Sequence, residues 1–110
     1  MSRKDYIDQF AFEIAKRFAP EKIVLFGSQA RGTATDDSDV DMLVIMDFDG
    51  RAAKKAAEIV SSIDPPFPVD LIVRRPEDVR RRIGEGDFFL IDIDHTGTIL
   101  YEASHEGVAH

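Results

Sequence analysis

Two neighbouring stretches decide the fold: IVLFGSQARG at residues 23–32 and SDVDMLVIM at residues 38–46. The first opens with four apolar residues, whose short length and β-branched content favour a buried strand that stops at Gly27. Ser28 is predicted to cap a very short helix that Gly32 ends. The second stretch begins by alternating acidic and apolar residues and is then apolar throughout, which predicts a second strand.

Asp39 and Asp41 open this predicted strand two residues apart, so their side chains share a face with Cα atoms ~6.6 Å apart. Two carboxylates this close repel each other unless a cation lies between them. Mg²⁺ suits such a place because it takes oxygen ligands from carboxylates and substrate phosphates. Asp70 stands near the start of a third predicted strand, residues 69–73. If the two strands are neighbours, the acids converge and can hold two Mg²⁺ ions ~3.5–4 Å apart, as in-line displacement at phosphorus requires.

The Gly27-Ser28 turn supplies the other half of the predicted site. Glycine lets the backbone approach a phosphate closely, and amides at the start of a helix favour anions. The Ser28 hydroxyl and amide can both donate to the β- and γ-phosphates of a nucleoside triphosphate. Each feature alone has an ordinary explanation, since Gly-Ser turns are common and acids two apart usually form a hydrated strand face. Their order along the chain carries the inference.

Hydrophobic periodicity places the remaining elements around these strands. Ser2 is predicted to be the N-cap of the first helix. The helix at about residues 51–63 is predicted to face inward with Ala53, Ala56, Ala57, Val60 and Ile63. The predicted elements are helices at residues 3–18, about 51–63, from Pro76 and at 87–95, and a last strand at 99–101. We therefore expect an α/β (α+β) protein with one small mixed sheet and helices packed on it.

Length and charge set further bounds. The 110 residues predict one domain over residues 1–102 and a frayed polar tail at residues 103–110. A net charge of −7 repels phosphate backbones, so DNA and RNA are not expected partners. No apolar run approaches membrane-spanning length, so no membrane partner is expected. The absence of cysteine fits a reducing compartment, and a cytoplasmic protein is expected.

The segments Gly27–Gly32 and Ser38–Asp41 together resemble the signature of the DNA polymerase β-like nucleotidyltransferase superfamily. Within it, the chain is most similar to the minimal nucleotidyltransferases, or MNT proteins. The late stretch from Gly86 through Glu102 is similar to the same group, so the resemblance covers nearly the whole chain. It implies the nucleotidyltransferase fold in a single domain.

The resemblance also implies roles for named residues. Asp39, Asp41 and Asp70 would be the catalytic acids and the metal ligands, with Asp70 nearest the nucleophile. Gly27 and Ser28 would bind the triphosphate of ATP or another nucleoside triphosphate. Arg31 matches the family arginine, which would either contact phosphate or brace the loop, with bracing slightly favoured.

A biological setting follows from the same resemblance. MNT proteins are antitoxins of HEPN ribonuclease toxins, and some transfer AMP from ATP to a toxin tyrosine. Larger superfamily members carry a helical second domain that this chain lacks, so a partner protein is expected to complete the site.

Two other functions stay open on the sequence. The protein could neutralise its partner by binding alone, with the acids holding only metal or nucleotide. It could instead modify a small molecule or tRNA, although its acidic charge and the missing second domain weigh against both acceptors. The basic cluster Arg74–Arg82 is either a hydrated helix face or a docking patch, and a hydrated face is favoured.

Overall fold

The computed structural model describes residues 2–34 and 38–103. Most of the predicted tail, residues 104–110, lies outside these ranges. The elements follow in the order α1 (Arg3–Phe18), β1 (Lys22–Phe26), α2 (Ser28–Arg31), β2 (Val40–Ile45), α3 (Ala52–Ile63), β3 (Val69–Arg74), α4 (Pro76–Gly84), α5 (Phe88–Thr96) and β4 (Thr98–Glu102). None of the described helices is long and apolar enough to cross a membrane.

The strands form one mixed sheet in the order β3-β2-β1-β4. β1 is antiparallel to both of its neighbours, β2 and β4. β2 and β3 run parallel, and α3 forms the crossover that a parallel pair requires. The predicted α+β class, with a small mixed sheet and helices packed on it, is confirmed.

Helices cover both faces of the sheet. On one face α1 and α3 bury the larger core, in which Ile14 and Ile59 are fully buried and pack in one cluster with Met42 of β2. On the other face Leu90 of α5 packs in a second cluster with Leu43 of β2. We call this second side the α5 face. Because strand side chains alternate, residues 41, 43 and 45 of β2 share the α5 face.

The start of α1 confirms the predicted N-cap. The Ser2 hydroxyl accepts a hydrogen bond from the Asp5 amide at 3.3 Å, and the Asp5 carboxylate accepts one from the Ser2 amide at 3.0 Å. This reciprocal pair is a capping box. The hydrogen bonds from Ser2 hold the pKa of Asp5 below its ordinary value.

Helix α2 begins differently from the prediction. Gly27, not Ser28, is its N-cap, and Ser28 is the first helical residue. Gly27 has φ 74° and ψ −153°, a conformation that is essentially restricted to glycine. The capping preference of serine therefore yields to a turn geometry that only glycine adopts. Gly32 ends the helix in the left-handed conformation, as predicted.

Two other details of the prediction are wrong. Asp39 lies directly before β2 and not within it, because the strand begins at Val40. In α3 Ala56 and Ile63 pack against the core as predicted, but the fully buried residue is Ile59, and Ala53 and Ala57 are exposed. The large side chain of Ile59 gains more from burial than the alanines do, so the inward face of the helix is centred on it.

Truncation of Ile59 tests which side of α3 faces the core. Ile59→Ala is expected to lower the free energy of unfolding by about 2–5 kcal/mol, because it leaves a cavity in a fully buried place. Val60→Ala is the matched control, and its cost is expected to be smaller because Val60 is only half-buried. Urea denaturation of both variants measures the two costs. Equal costs would contradict the orientation of α3.

Candidate functional site

The strand register brings Asp41 and Asp70 side by side. β2 and β3 run parallel with these two residues as Cα partners, and partners in a ladder point to the same face. Two residues further along each strand, Leu43 and Ile72 pack in the cluster on the α5 face. Both carboxylates therefore lie on this face, at the strand ends where β2 and β3 begin. The sequence analysis expected Asp70 to approach Asp41 only if their two strands were neighbours, and β2 and β3 are neighbours.

Asp41 is the electrostatic centre of the acidic group. Burial raises the pKa of the Asp41 carboxyl, and the neighbouring carboxylates of Asp70 and Asp39 raise it further. The guanidinium of Arg31 acts in the opposite direction. Asp39, which is exposed at the entrance to β2, is thus close enough to act on Asp41. Asp41 and Asp70 are therefore paired in register, and Asp39 lies near Asp41 at the entrance to β2.

Gly27 packs directly against Asp41. On the β1 side the Cα partner of Asp41 is Phe26, and Gly27 follows at once. A Cβ atom built on Gly27 would lie 3.2 Å from Cγ of Asp41 and closer still to one of its carboxylate oxygens. The predicted phosphate turn and the predicted acid are therefore in contact, and a side chain at position 27 would displace the carboxylate.

The two other predicted phosphate contacts flank this turn. Ser28 is half-buried at the first position of α2, where amide groups have no partner within the helix and can donate to an anion. Arg31 ends the helix and is exposed. Its positive charge counteracts the rise in the pKa of Asp41.

The donor chemistry of the acidic group fits a divalent cation. Carboxylate oxygens are ligands that Mg²⁺ prefers, and a cation would relieve the repulsion that raises the pKa of Asp41. Within residues 2–34 and 38–103 no group of three or more acidic or histidine side chains is placed to hold a metal ion by itself. Substrate phosphates and water would have to supply further ligands.

Neutralising Asp41 is expected to stabilise the metal-free protein. Because the pKa of Asp41 is raised in the folded state, stability falls as the pH rises from the unfolded-state value of about 3.9 through the folded-state pKa. Asp41→Asn should therefore have the higher free energy of unfolding at neutral pH in EDTA, with the difference shrinking in acid. Urea denaturation across this pH range measures it. A less stable Asp41→Asn variant at neutral pH would contradict the expectation.

The basic cluster Arg74–Arg82 is partly matched by acids. Arg81 pairs with Asp78 at 3.1 Å, and Arg82 lies 3.7 Å from Asp87. Such exposed pairs contribute little stability, but they reduce the net positive charge that a docking patch would need. The structure thus favours the hydrated helix face.

Sequence reasoning missed one contact beside the acids. Nη1 of Arg3 donates to the Ser38 carbonyl at 3.3 Å, and its guanidinium lies 5.7 Å from the centroid of the Phe67 ring. Ser38 directly precedes Asp39, and Phe67 lies three residues before Asp70. Arg3 therefore joins α1 to the segments that lead into both acids. The sequence holds no signal for this contact, because 35 positions separate Arg3 from Ser38.

Comparison with known sequences identifies a family. A model of the nucleotidyltransferase domain matches residues 7–93, a range that includes the turn and all three acids. Over 51 residues the chain is 37% identical to a "putative protein adenylyltransferase" of Methanocaldococcus jannaschii. That match covers 44% of this chain and 51% of the relative. The chain thus spans about half the length of the curated relative it matches.

Comparison with solved structures supports the fold. A "putative nucleotidyltransferase" from Sulfolobus solfataricus superimposes with a TM-score of 0.62 at 22% identity, covering 89% of this chain and 78% of that one. A toxin–antitoxin structure with AMP-PNP superimposes with a TM-score of 0.56 at 20% identity. The match covers 93% of this chain and 78% of that one. A mutant of the toxin–antitoxin pair MntA–HpeT superimposes with a TM-score of 0.53 at 16% identity, with the same coverage of both chains. The match over residues 7–93 shows that the chain belongs to the nucleotidyltransferase domain family.

Proposed function

We propose that the protein is a Mg²⁺-dependent nucleotidyltransferase of the MNT type that transfers AMP from ATP to a protein hydroxyl. The acceptor is a tyrosine of a HEPN-type toxin, for which the protein acts as the antitoxin in the cytoplasm. The parallel register of Asp41 with Asp70 carries the proposal. It sets two carboxylates on one face, with the Gly27 turn packed against one of them.

The strand order supports an assignment of the three parts of an in-line transfer. β3, β2 and β1 are consecutive in the sheet, about 4.8 Å apart, so Asp70, Asp41 and Gly27 follow one another across it. We assign the acceptor hydroxyl to the Asp70 side and the pyrophosphate leaving group to Gly27 and Ser28. The α-phosphate would then lie between them at Asp41, with nucleophile, phosphorus and leaving group in line, as phosphoryl transfer requires.

In this proposal the acids bind the metal ions, and the turn binds the phosphates. Asp39, Asp41 and Asp70 would hold two Mg²⁺ ions, and Arg31 would contact phosphate. Bound Mg²⁺ supplies positive charge that stabilises the triphosphate and lowers the pKa of the attacking hydroxyl. The amides of the first turn of α2 would bind the β- and γ-phosphates.

The protein acceptor is supported by the relatives and by charge. A relative in sequence is named a "putative protein adenylyltransferase", and two structural neighbours are toxin–antitoxin assemblies. The net charge of −7 disfavours tRNA as an acceptor. A folded partner that covers the open site also excludes water from the reacting phosphate.

The test is transfer to a purified HEPN-type partner. The protein is incubated with that partner, Mg²⁺ and ATP labelled at either the α- or the γ-phosphate. Label is expected on the partner from the α position only, and EDTA should abolish it. Intact-mass spectrometry should show the partner gaining whole AMP units. An unmodified partner, incubated with protein that binds Mg²⁺ and ATP, would refute protein transfer, and label on added tRNA would favour the other acceptor class.

Neutralisation by binding alone is separated from catalysis by one variant. Asp39→Asn/Asp41→Asn removes the paired carboxylates without changing side-chain size. If transfer is the mechanism, this variant should bind the partner but no longer neutralise its ribonuclease activity. Retained neutralisation at equal affinity would show that contact suffices.

A further inference from the structure

Two phenylalanines lie exposed at the start of α5. Phe88 is 87% exposed and Phe89 is 50% exposed, although both belong to the helix that covers one face of the sheet. That helix buries Leu90 and Ile93 instead. Leaving two large apolar rings in water sacrifices hydrophobic stabilisation, and exposed apolar surface of this kind marks binding sites.

This aromatic pair adjoins the candidate site. The ring of Phe89 meets the ring of Phe26 edge to face, with centroids 5.6 Å apart and planes at 88°. Phe26 is the Cα partner of Asp41 and directly precedes Gly27. One ring contact therefore connects the exposed pair to both the acid and the turn assigned to phosphate. Phe88 directly precedes Phe89 at the start of α5.

We propose that Phe88, supported by Phe89, stacks on the base of the nucleoside triphosphate. The proposal rests on the proposed function, because it assumes that the triphosphate lies on Gly27 and the acids. The base of a nucleotide held there must rest outside the phosphate site, and the pair offers a π surface at its margin. Stacking uses the face of the base and not its hydrogen-bonding edge.

A nucleobase fits the pair better than a protein surface does. A stable protein interface buries about 800 Å² on each partner, whereas this patch consists of two rings. The other strongly exposed apolar side chains of the described residues lie on α1 and β4, where Phe12 and Ile99 are 63% and 51% exposed. The next residues on α5 that face water are acidic, Asp92 and Asp94, which limits the apolar area further.

A tryptophan at position 88 would report the stacking directly. The chain contains no tryptophan, so Phe88→Trp introduces a single indole that stacking on a base should quench. Mg²⁺ with ATP is expected to quench this fluorescence, whereas Mg²⁺ with tripolyphosphate, which lacks a base, is not. Phe12→Trp is the matched control on α1, and its fluorescence should respond to neither ligand. Quenching of the Phe88→Trp indole by tripolyphosphate alone, or no quenching by bound ATP, would overturn the proposal.

Calorimetry of Phe88→Ala separates this inference from the proposed function. ATP affinity should fall about tenfold, the effect of one lost base stack, while tripolyphosphate affinity should stay unchanged. Purine triphosphates should bind the wild-type protein more tightly than pyrimidine triphosphates do, because a purine offers the larger stacking surface. Unchanged ATP affinity with slower transfer to a partner would overturn base stacking and assign the ring to the acceptor. Failure of the wild-type protein to bind either ATP or tripolyphosphate would instead overturn the proposed function.

Discussion

Asp41→Asn is expected to lower the rate of nucleotidyl transfer about a thousandfold, equivalent to about 4 kcal/mol of transition-state stabilisation. Asp41 is central because it lies between Asp70 on β3 and the Gly27 turn after β1. An amide of the same shape keeps the packing but supplies half the oxygen ligands and no charge. Steady-state transfer of AMP at saturating ATP and Mg²⁺ measures the loss.

The matched control is Asp47→Asn, which makes the same chemical change on an exposed acid beyond the far end of β2. It should leave transfer unchanged. The two variants also differ in their response to metal, since Mg²⁺ should raise the melting temperature of the Asp47→Asn variant but hardly that of Asp41→Asn. Equal activity in both variants would remove Asp41 from the site.

Gly27→Ala is expected to reduce transfer about a hundredfold and to destabilise the fold. The loss of rate follows because the new Cβ would collide with the Asp41 carboxylate, and displacement of a reacting group by about 1 Å costs that much. The loss of stability follows because alanine strains this backbone conformation by about 1–3 kcal/mol. Transfer assays and urea denaturation measure the two effects separately.

Gly32→Ala separates strain from collision. Gly32 also has a positive φ, 75°, but a Cβ there would meet no atom within 4 Å. This variant should lose about 1–2 kcal/mol of stability from the left-handed backbone and keep most of its activity. If both alanine variants were equally inactive, strain in the α2 segment, and not the contact with Asp41, would explain the loss.

Local signals in the sequence predicted most elements well. Ser2 caps α1 and Pro76 opens α4, as their hydrogen-bonding and backbone preferences indicate. Each of these features depends on groups a few residues apart. The errors lie where two local preferences compete, as at Gly27 and Ser28, or where helical spacing alone had to choose the buried face of α3.

The candidate site was predictable only in its composition. Spacing and turn chemistry singled out Asp39, Asp41 and the Gly27 turn, because these residues lie within one short segment. Asp70 joined them only on the condition that its strand lay beside theirs. Arg3 and the aromatic pair at Phe88 and Phe89 gave no such signal, since exposure and contacts across the chain do not follow from neighbouring residues.

The sequence by itself singled out the side chains that are predicted to bind metal and phosphate, and most of the helices and strands, because both depend on residue chemistry and on short-range hydrogen bonds. Only the tertiary structure decided that Asp70 stands beside Asp41 and that Gly27 touches its carboxylate. Strand register between distant segments is set by packing of the whole core, and a shift of one residue would turn Asp70 to the opposite face.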